Sequence, residues 1–253
     1  MLFHSTIFGP VHSRRLGVSL GVNLLPDNGK ICSFDCVYCE CGLNADGRDD
    51  RVVPAREKVA GDLEEFLAGY IASGKPAIDS ITFAGNGEPT LHKQFAEIID
   101  DTIAIRDRIV PAAKVSVLSN AWQLKNKSVF NALSKVDNNI LKLDSAIPAS
   151  ITAINRPVNP NFDIDDLINH LAMFKHNCII QTLFLRGETC DNTTEEEINA
   201  WLDALKKISP KEVQIYSLDR KTPYDTLRHV GIDELNAIAA RVQALGLRTH
   251  VTE

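Results

Sequence analysis

Four of the chain's six cysteines fall within the ten residues 32–41, and three of them, Cys32, Cys36 and Cys39, follow the spacing C-x3-C-x2-C. Neighbours this close do not resemble the spread pairs of a disulfide framework, so metal ligation is the better account of them. Zinc asks for four protein ligands, usually as two C-x2-C pairs or with a following histidine pair. Here Cys39 and Cys41 flank a single residue, which makes a four-thiolate zinc site sterically awkward. A [4Fe-4S] cluster with three cysteine ligands, its fourth iron left open for a small molecule, fits the ligand arithmetic better. The remaining thiols, Cys178 and Cys190, are isolated in sequence. With Cys41 they would make an auxiliary cluster, or Cys178, inside an apolar run, is a small core residue.

A second constellation is GNGEPT, where Gly85 and Gly87 flank Asn86 ahead of Glu88 and Pro89. The glycines allow the backbone to turn and present its N–H and C=O groups, and the proline stiffens the exit. No Lys-Ser/Thr pair follows, as a phosphate loop of the Walker type requires, and Glu88 would repel a phosphate. Exposed carbonyls beside a carboxylate suit a cation such as an amino acid's ammonium group, while a plain turn with both glycines at positive φ explains the same residues without a ligand. Lys142 and Asp144 stand two apart in an extended run and therefore share a face, as an ion pair or as part of a site. Ser119 and Asn120 close another apolar run. Arg156, Arg186 and Arg220 each fall near a strand end or loop and suit an anionic substrate group. Arg220 is preferred, because Asp219-Arg220-Lys221 directly follows a strand, although exposed arginines, Arg14 and Arg15 among them, need no such role.

The elements that must position these groups alternate. Short apolar runs rich in Val and Ile are separated by segments of helical period, the pattern of repeated βα units around a mostly parallel sheet. Strands are expected at 18–26, 79–85, 113–120, 138–145, 177–187 and 212–218, with a terminal strand in LRTHV. Helices are expected at 57–72, 91–108, 127–135, 164–175, from a capping box at Thr194 and Glu197, and at 233–245. Six βα repeats rather than eight predict an open, partial (βα)6 barrel, read as one domain over residues 1–253. In such sheets the site gathers at the carboxyl ends of the strands, where the residues singled out above fall.

At 253 residues with 44% hydrophobic content the chain can bury a sizeable core, and its net charge of −6 argues against a broad nucleic-acid footprint. The opening MLFHSTIFGP lacks a basic region followed by an apolar run, and no window approaches the roughly 18 apolar residues of a bilayer span. The expectation is a soluble, cytoplasmic protein with no membrane partner.

Cys32-x3-Cys36-x2-Cys39, with Tyr38 before the last cysteine, resembles the signature of the radical S-adenosylmethionine (radical SAM) enzymes, and residues 85–89 resemble their glycine-glutamate motif. Within that superfamily GPVHSRRLG, CVYCECG, FAGNGEPTLH and Ile154-Asn155-Arg156-Pro157 resemble short proteins related to the tRNA wyosine-base synthases. The resemblance implies a partial (βα)6 barrel and two cofactors, a [4Fe-4S] cluster and S-adenosyl-L-methionine. Reductive cleavage then gives methionine and a 5′-deoxyadenosyl radical that takes hydrogen from a substrate. Carried over residue by residue, Cys32, Cys36 and Cys39 hold the cluster, and Tyr38 lies near the adenine. Glu88, with the backbone of Gly85, Asn86 and Gly87, receives the methionyl ammonium. Ser119 and Asn120 serve the ribose and carboxylate, and Lys142 or Asp144 the methionyl end or the substrate. An electron donor such as a flavodoxin or ferredoxin is implied, with a tRNA base or nucleoside as substrate. The alternatives are a peptide or small metabolite as substrate, or an iron-sulfur electron carrier, which would prefer four protein ligands.

Overall fold

The computed structural model describes residues 2–44, 51–220 and 222–252. They group into two units. The first comprises Met1–Cys32, Asn44–Ser119 and Lys125–Asn139, and the second Ser33–Leu43, Asn120–Leu124 and Ile140–Glu253.

In the first unit β1 (Ile7–Ser13) runs antiparallel to β2 (Gly17–Val22), and β2, β3 (Ser80–Phe83) and β4 (Lys114–Ser119) follow in parallel register. β1 is not among the expected strands, because its residues do not alternate in polarity. β2 stops four residues short of the predicted end. At Asn23 the side chain accepts the Leu25 N–H (3.2 Å) and donates to the Leu25 carbonyl (2.9 Å), so a local turn replaces the ladder. Helix α1 (Arg56–Ala72) buries Val59, Leu63, Leu67 and Tyr70 on one stripe, but Ile71, expected on that stripe, is exposed. Helix α2 (Phe95–Ile109) begins later than predicted, because Pro89–Leu91 forms a separate 3₁₀ turn. Helix α3 (Lys127–Lys135) starts at Asn126, whose side chain accepts the Ser128 N–H.

β5 (Asn138–Lys142), whose residues from Ile140 on belong to the second unit, leads to α4 (Pro148–Ile154), where the sequence alone predicts a loop, and to α5 (Ile164–Ala172). Pro148 occupies the first turn of α4, where its missing N–H costs nothing. β6 (Ile179–Arg186) pairs in parallel with β5 and with β7 (Glu212–Ser217), and is buried along almost its whole length, as a covered central strand must be. Helix α6 (Glu195–Ile208) packs Trp201 edge-on against Phe184 at 5.2 Å, and the Trp201 indole N–H donates to Thr182. Thr194 caps α6 as predicted by accepting the Glu197 N–H (3.3 Å). The Glu197 carboxylate does not reach back to the cap; it accepts hydrogen bonds from Ser145 and Ser150. A two-residue strand β8 (Arg228–His229) pairs antiparallel with β6, and α7 (Ile232–Gln243) and β9 (Thr249–Thr252), parallel to β7, close the chain.

The six predicted βα repeats are present, followed by the final strand, and the fold class is α/β of the partial (βα)6 type. Among the described residues no helix is long and apolar enough to cross a membrane.

Candidate functional site

In the first unit the turn after β3 is made by backbone conformation. Gly85 (φ 150°) and Gly87 (φ 135°) hold angles that side chains disfavour, and a Cβ on Gly87 would lie 1.9 Å from the Ile31 carbonyl oxygen. That close approach lets the Ile31 N–H donate to the Asn86 carbonyl (3.0 Å) and the Glu88 N–H donate to the Ile31 carbonyl (3.0 Å). The glycine turn is thereby stitched to the residue preceding Cys32. Glu88 is 2% exposed, and its Oε1 accepts from the Thr90 N–H (3.1 Å), the Thr90 hydroxyl (2.5 Å) and the Ser119 hydroxyl (2.8 Å). Glu88 and Ser119, chosen separately from sequence, therefore meet. The Asn86 side chain is fully committed to structure: its amide donates to the Phe3 and Pro26 carbonyls and its oxygen accepts the Phe3 N–H.

In the second unit the cysteine loop is held by backbone pairing with the Ile154-Asn155-Arg156-Pro157 segment. The Val37 N–H donates to the Ile154 carbonyl, the Asp35 N–H is shared between the Asn155 and Arg156 carbonyls, and the Val158 N–H donates to the Ser33 carbonyl. Behind the loop stands a buried polar cluster. Lys142 donates to the Tyr216 hydroxyl, lies 3.5 Å from Asp144 Oδ1, and has its ammonium 4.8 Å from the Tyr38 ring centroid and 4.7 Å from that of Tyr216. The Tyr38 hydroxyl donates to Asp144 Oδ2, and the Leu183 N–H donates to Asp144 Oδ1 (2.9 Å). The Asn155 amide reaches Asp144 (2.7 Å), the Tyr38 hydroxyl (3.1 Å) and the Cys36 sulfur (3.4 Å). Burial alone would favour a neutral Lys142, but Asp144 and then Tyr216 outweigh it and raise its pKa. Burial, then the Asp144 charge, drives the Tyr38 phenol well above its ordinary value.

Lys142, Asp144 and Tyr38 are thus brought together, by an ion pair of the kind anticipated. Asn155 and Tyr216, which complete the cluster, were not selected from sequence as site residues. The signal for Asn155 was its place in the Ile154-Asn155-Arg156-Pro157 motif, and for Tyr216 its place at the end of β7. Asn120 donates to the Ser33 hydroxyl (2.8 Å) and accepts the Trp122 N–H. Arg220, the preferred anion binder, is an exposed side chain paired with Glu40 at 2.8 Å, and Lys221 beside it lies outside the described residues. Cys178 is fully buried, and burial pushes its thiol up to about 12, as befits a core residue.

Among the described residues no three His, Cys, Asp or Glu side chains are gathered as a single metal ion requires. An iron-sulfur cluster poses a different demand, since each thiolate binds its own iron and the ligands need not converge on one point. The donor chemistry fits such a group. All three thiols are free of disulfides and partly accessible. Burial pushes the Cys36 thiol up to about 11, so as a thiolate it needs a cationic partner. The buried Asn155 Oδ1 beside it has no hydrogen-bond partner among the described residues, which leaves an acceptor for a bound ligand.

No family model matches the chain. The protein named GTPase Obg from Brachyspira hyodysenteriae is 29% identical over 90% of this chain and 32% of its own length, so the chain spans about a third of that relative. Among solved structures, a radical SAM methyltransferase from Sphaerobacter thermophilus superposes with a TM-score of 0.69 at 12% identity, covering 92% of this chain and 65% of that one. Streptococcus suis SuiB bound to S-adenosylmethionine gives 0.63 at 17% identity, over 89% and 49%. TYW1 with a lysine-pyruvate adduct gives 0.60 at 14%, over 89% and 73%. At these identities the likeness establishes the fold, which is that of the radical SAM enzymes. A UPF0026 protein of Synechocystis is 32% identical over 225 residues, spanning 86% of this chain and 77% of that protein, and the chain therefore belongs to the UPF0026 family.

Proposed function

We propose that the protein is a radical SAM enzyme. The observation that carries this reading is the pairing, within the first unit, of Ile31 with the turn that carries Glu88, because it sets the residue before Cys32 against an acidic backbone cradle. Cys32, Cys36 and Cys39 would hold a [4Fe-4S] cluster. When bound, the cluster supplies the electron for cleavage of S-adenosylmethionine to methionine and a 5′-deoxyadenosyl radical, which takes hydrogen from the substrate. The protein's part is to bind, aim and exclude water. Glu88, held ready by Thr90 and Ser119, accepts the methionyl ammonium together with carbonyls of the Gly85-Asn86-Gly87 turn. The Asn86 side chain acts through the fold, by fixing that turn. Asp144 and Asn155 orient Tyr38, whose ring serves the adenine, and Asn120 serves the ribose and carboxylate. Lys142 presents positive charge toward the methionyl end or the substrate.

The substrate class we favour is a nucleoside or tRNA base, because the motifs resemble those of short proteins related to the wyosine-base synthases. The net charge of −6 favours a small or locally gripped substrate over one tracked along its phosphates. The GTPase name of the Brachyspira relative finds no support in residues 85–90, where no Lys-Ser/Thr pair follows the glycines.

The test is anaerobic reconstitution with iron and sulfide, addition of dithionite and S-adenosylmethionine, and chromatography with mass detection of 5′-deoxyadenosine. Formation of that product by the wild type and its loss, with the brown chromophore, in Cys36→Ala are expected. A fully loaded cluster that yields none, even with cell extract as substrate, would replace this reading with that of a carrier.

A further inference from the structure

Three arginines were candidates for an anionic substrate group, and their counter-ions separate them. Arg186 forks onto Glu234, with one bond at 3.0 Å, and lies 3.6 Å from Asp191. Arg220 is paired with Glu40. Arg156 forms no ion pair among the described residues, although it is half-buried. Among the described residues its side chain makes one hydrogen bond, from Nη1 to the Tyr224 hydroxyl, and its guanidinium stacks 4.7 Å from the Tyr224 ring centroid. A guanidinium keeps its charge at any physiological pH and offers a rigid fork of donors. One partly withdrawn from water, with most of that fork unused and no carboxylate beside it, is matched to a planar or tetrahedral oxyanion.

Its position gives the site a use. The Arg156 carbonyl accepts from Asp35 in the cysteine loop (3.0 Å), and its neighbour Asn155 contacts Cys36, Tyr38 and Asp144. Tyr38, Tyr216 and Tyr224, three of the chain's four tyrosines, pack against one buried apolar cluster formed by Val37, Ile154, Leu183 and Leu185. We propose that Arg156 and Tyr224 form a subsite for an oxyanion of the substrate, a phosphate or a carboxylate, and so hold the substrate beside the Tyr38–Asp144–Asn155 cluster. The proposal rests on the radical-enzyme reading only for what the anchored molecule is used for.

The full chain with its cluster reconstituted, and without S-adenosylmethionine, is titrated calorimetrically with inorganic phosphate and separately with acetate, at constant ionic strength in chloride. Saturable binding of one of them at one equivalent is expected, and which one binds distinguishes a phosphate from a carboxylate substrate. Arg156→Gln should weaken that binding by about tenfold or more. Arg156→Lys, which keeps the charge but not the fork, should fall between the two, and serves if the glutamine variant fails to fold. The proposal is overturned by no saturable binding of either anion to the wild type, by equal affinity in the Arg156 variants, or by a loss that appears in Arg220→Ala instead. Anion binding without 5′-deoxyadenosine formation would sink the enzymatic reading and leave the subsite; the reverse would sink the subsite alone.

Discussion

The turn after β3 in the first unit and the cluster behind the cysteine loop in the second are both buried and polar, yet they are built by opposite means. Around Gly85 and Gly87 the backbone does the positioning: unusual φ angles and a close approach to Ile31 set the hydrogen bonds, and Glu88 is aimed by its neighbours. Around Asp144 the side chains do it, with Lys142, Tyr38 and Asn155 converging on one carboxylate. A site framed by backbone fails by steric exclusion, whereas one framed by side chains fails by leaving a charge without its partner.

That contrast can be broken from either side. The largest effect is expected for Gly87→Ala, whose methyl group would overlap the Ile31 carbonyl on a backbone angle alanine disfavours. A loss on the order of 4 kcal/mol in urea unfolding is expected. A loss below about 1 kcal/mol would show the pairing with Ile31 to be soft. Next comes Asp144→Asn, which keeps hydrogen-bonding atoms but strands Lys142, 14% exposed, without a carboxylate. About 3 kcal/mol is expected, and restoration by Lys142→Met in the same chain would locate the cost in the unpaired charge.

The smallest effect sharpens the comparison through pH. Arg56 holds the Asp101 carboxyl below the usual carboxylate range. Burial works to raise Asp137, but the Val115 N–H and the Arg106 guanidinium outweigh it and lower it too. Both residues belong to the first unit. Because their pKa values are lower folded than unfolded, their stabilisation is complete above the unfolded carboxylate pKa of about 4 and drains away as pH falls through the folded values. Acid titration should therefore weaken wild-type stability below about pH 4, and Asp101→Asn with Asp137→Asn should flatten that slope. The change at neutral pH should stay below about 1 kcal/mol per site, since both pairs are partly exposed. An unchanged slope would refute the assignment.

Much of the fold was legible because its signals are short-range. The apolar stripe of α1, the Thr194 cap and the six alternations of strand and helix were read from periods and turn residues within a few positions of one another. β1 and α4 were missed for the same reason, since neither carries a strong local period and each depends on what it pairs with or packs against. At the site, Glu88 and Ser119, expected in separate roles, meet through a hydrogen bond, and Lys142 and Asp144, expected on one face, lie 3.5 Å apart. Asn86 is expected to offer its backbone to a ligand; that its side-chain amide donates to the carbonyls of Phe3 and Pro26 is a long-range pairing no local pattern shows.

By itself the sequence determined the three-thiolate spacing, the glycine-glutamate turn and the α/β class, all of which follow from covalent geometry and local conformational preference. Only the tertiary structure decided which of Arg156, Arg186 and Arg220 has no carboxylate partner among the described residues. Arg220 and Glu40 lie 180 positions apart, and no local pattern reveals that they meet. Charge pairing depends on distance in space, falling off over a few ångströms, and residue spacing along a chain does not measure it.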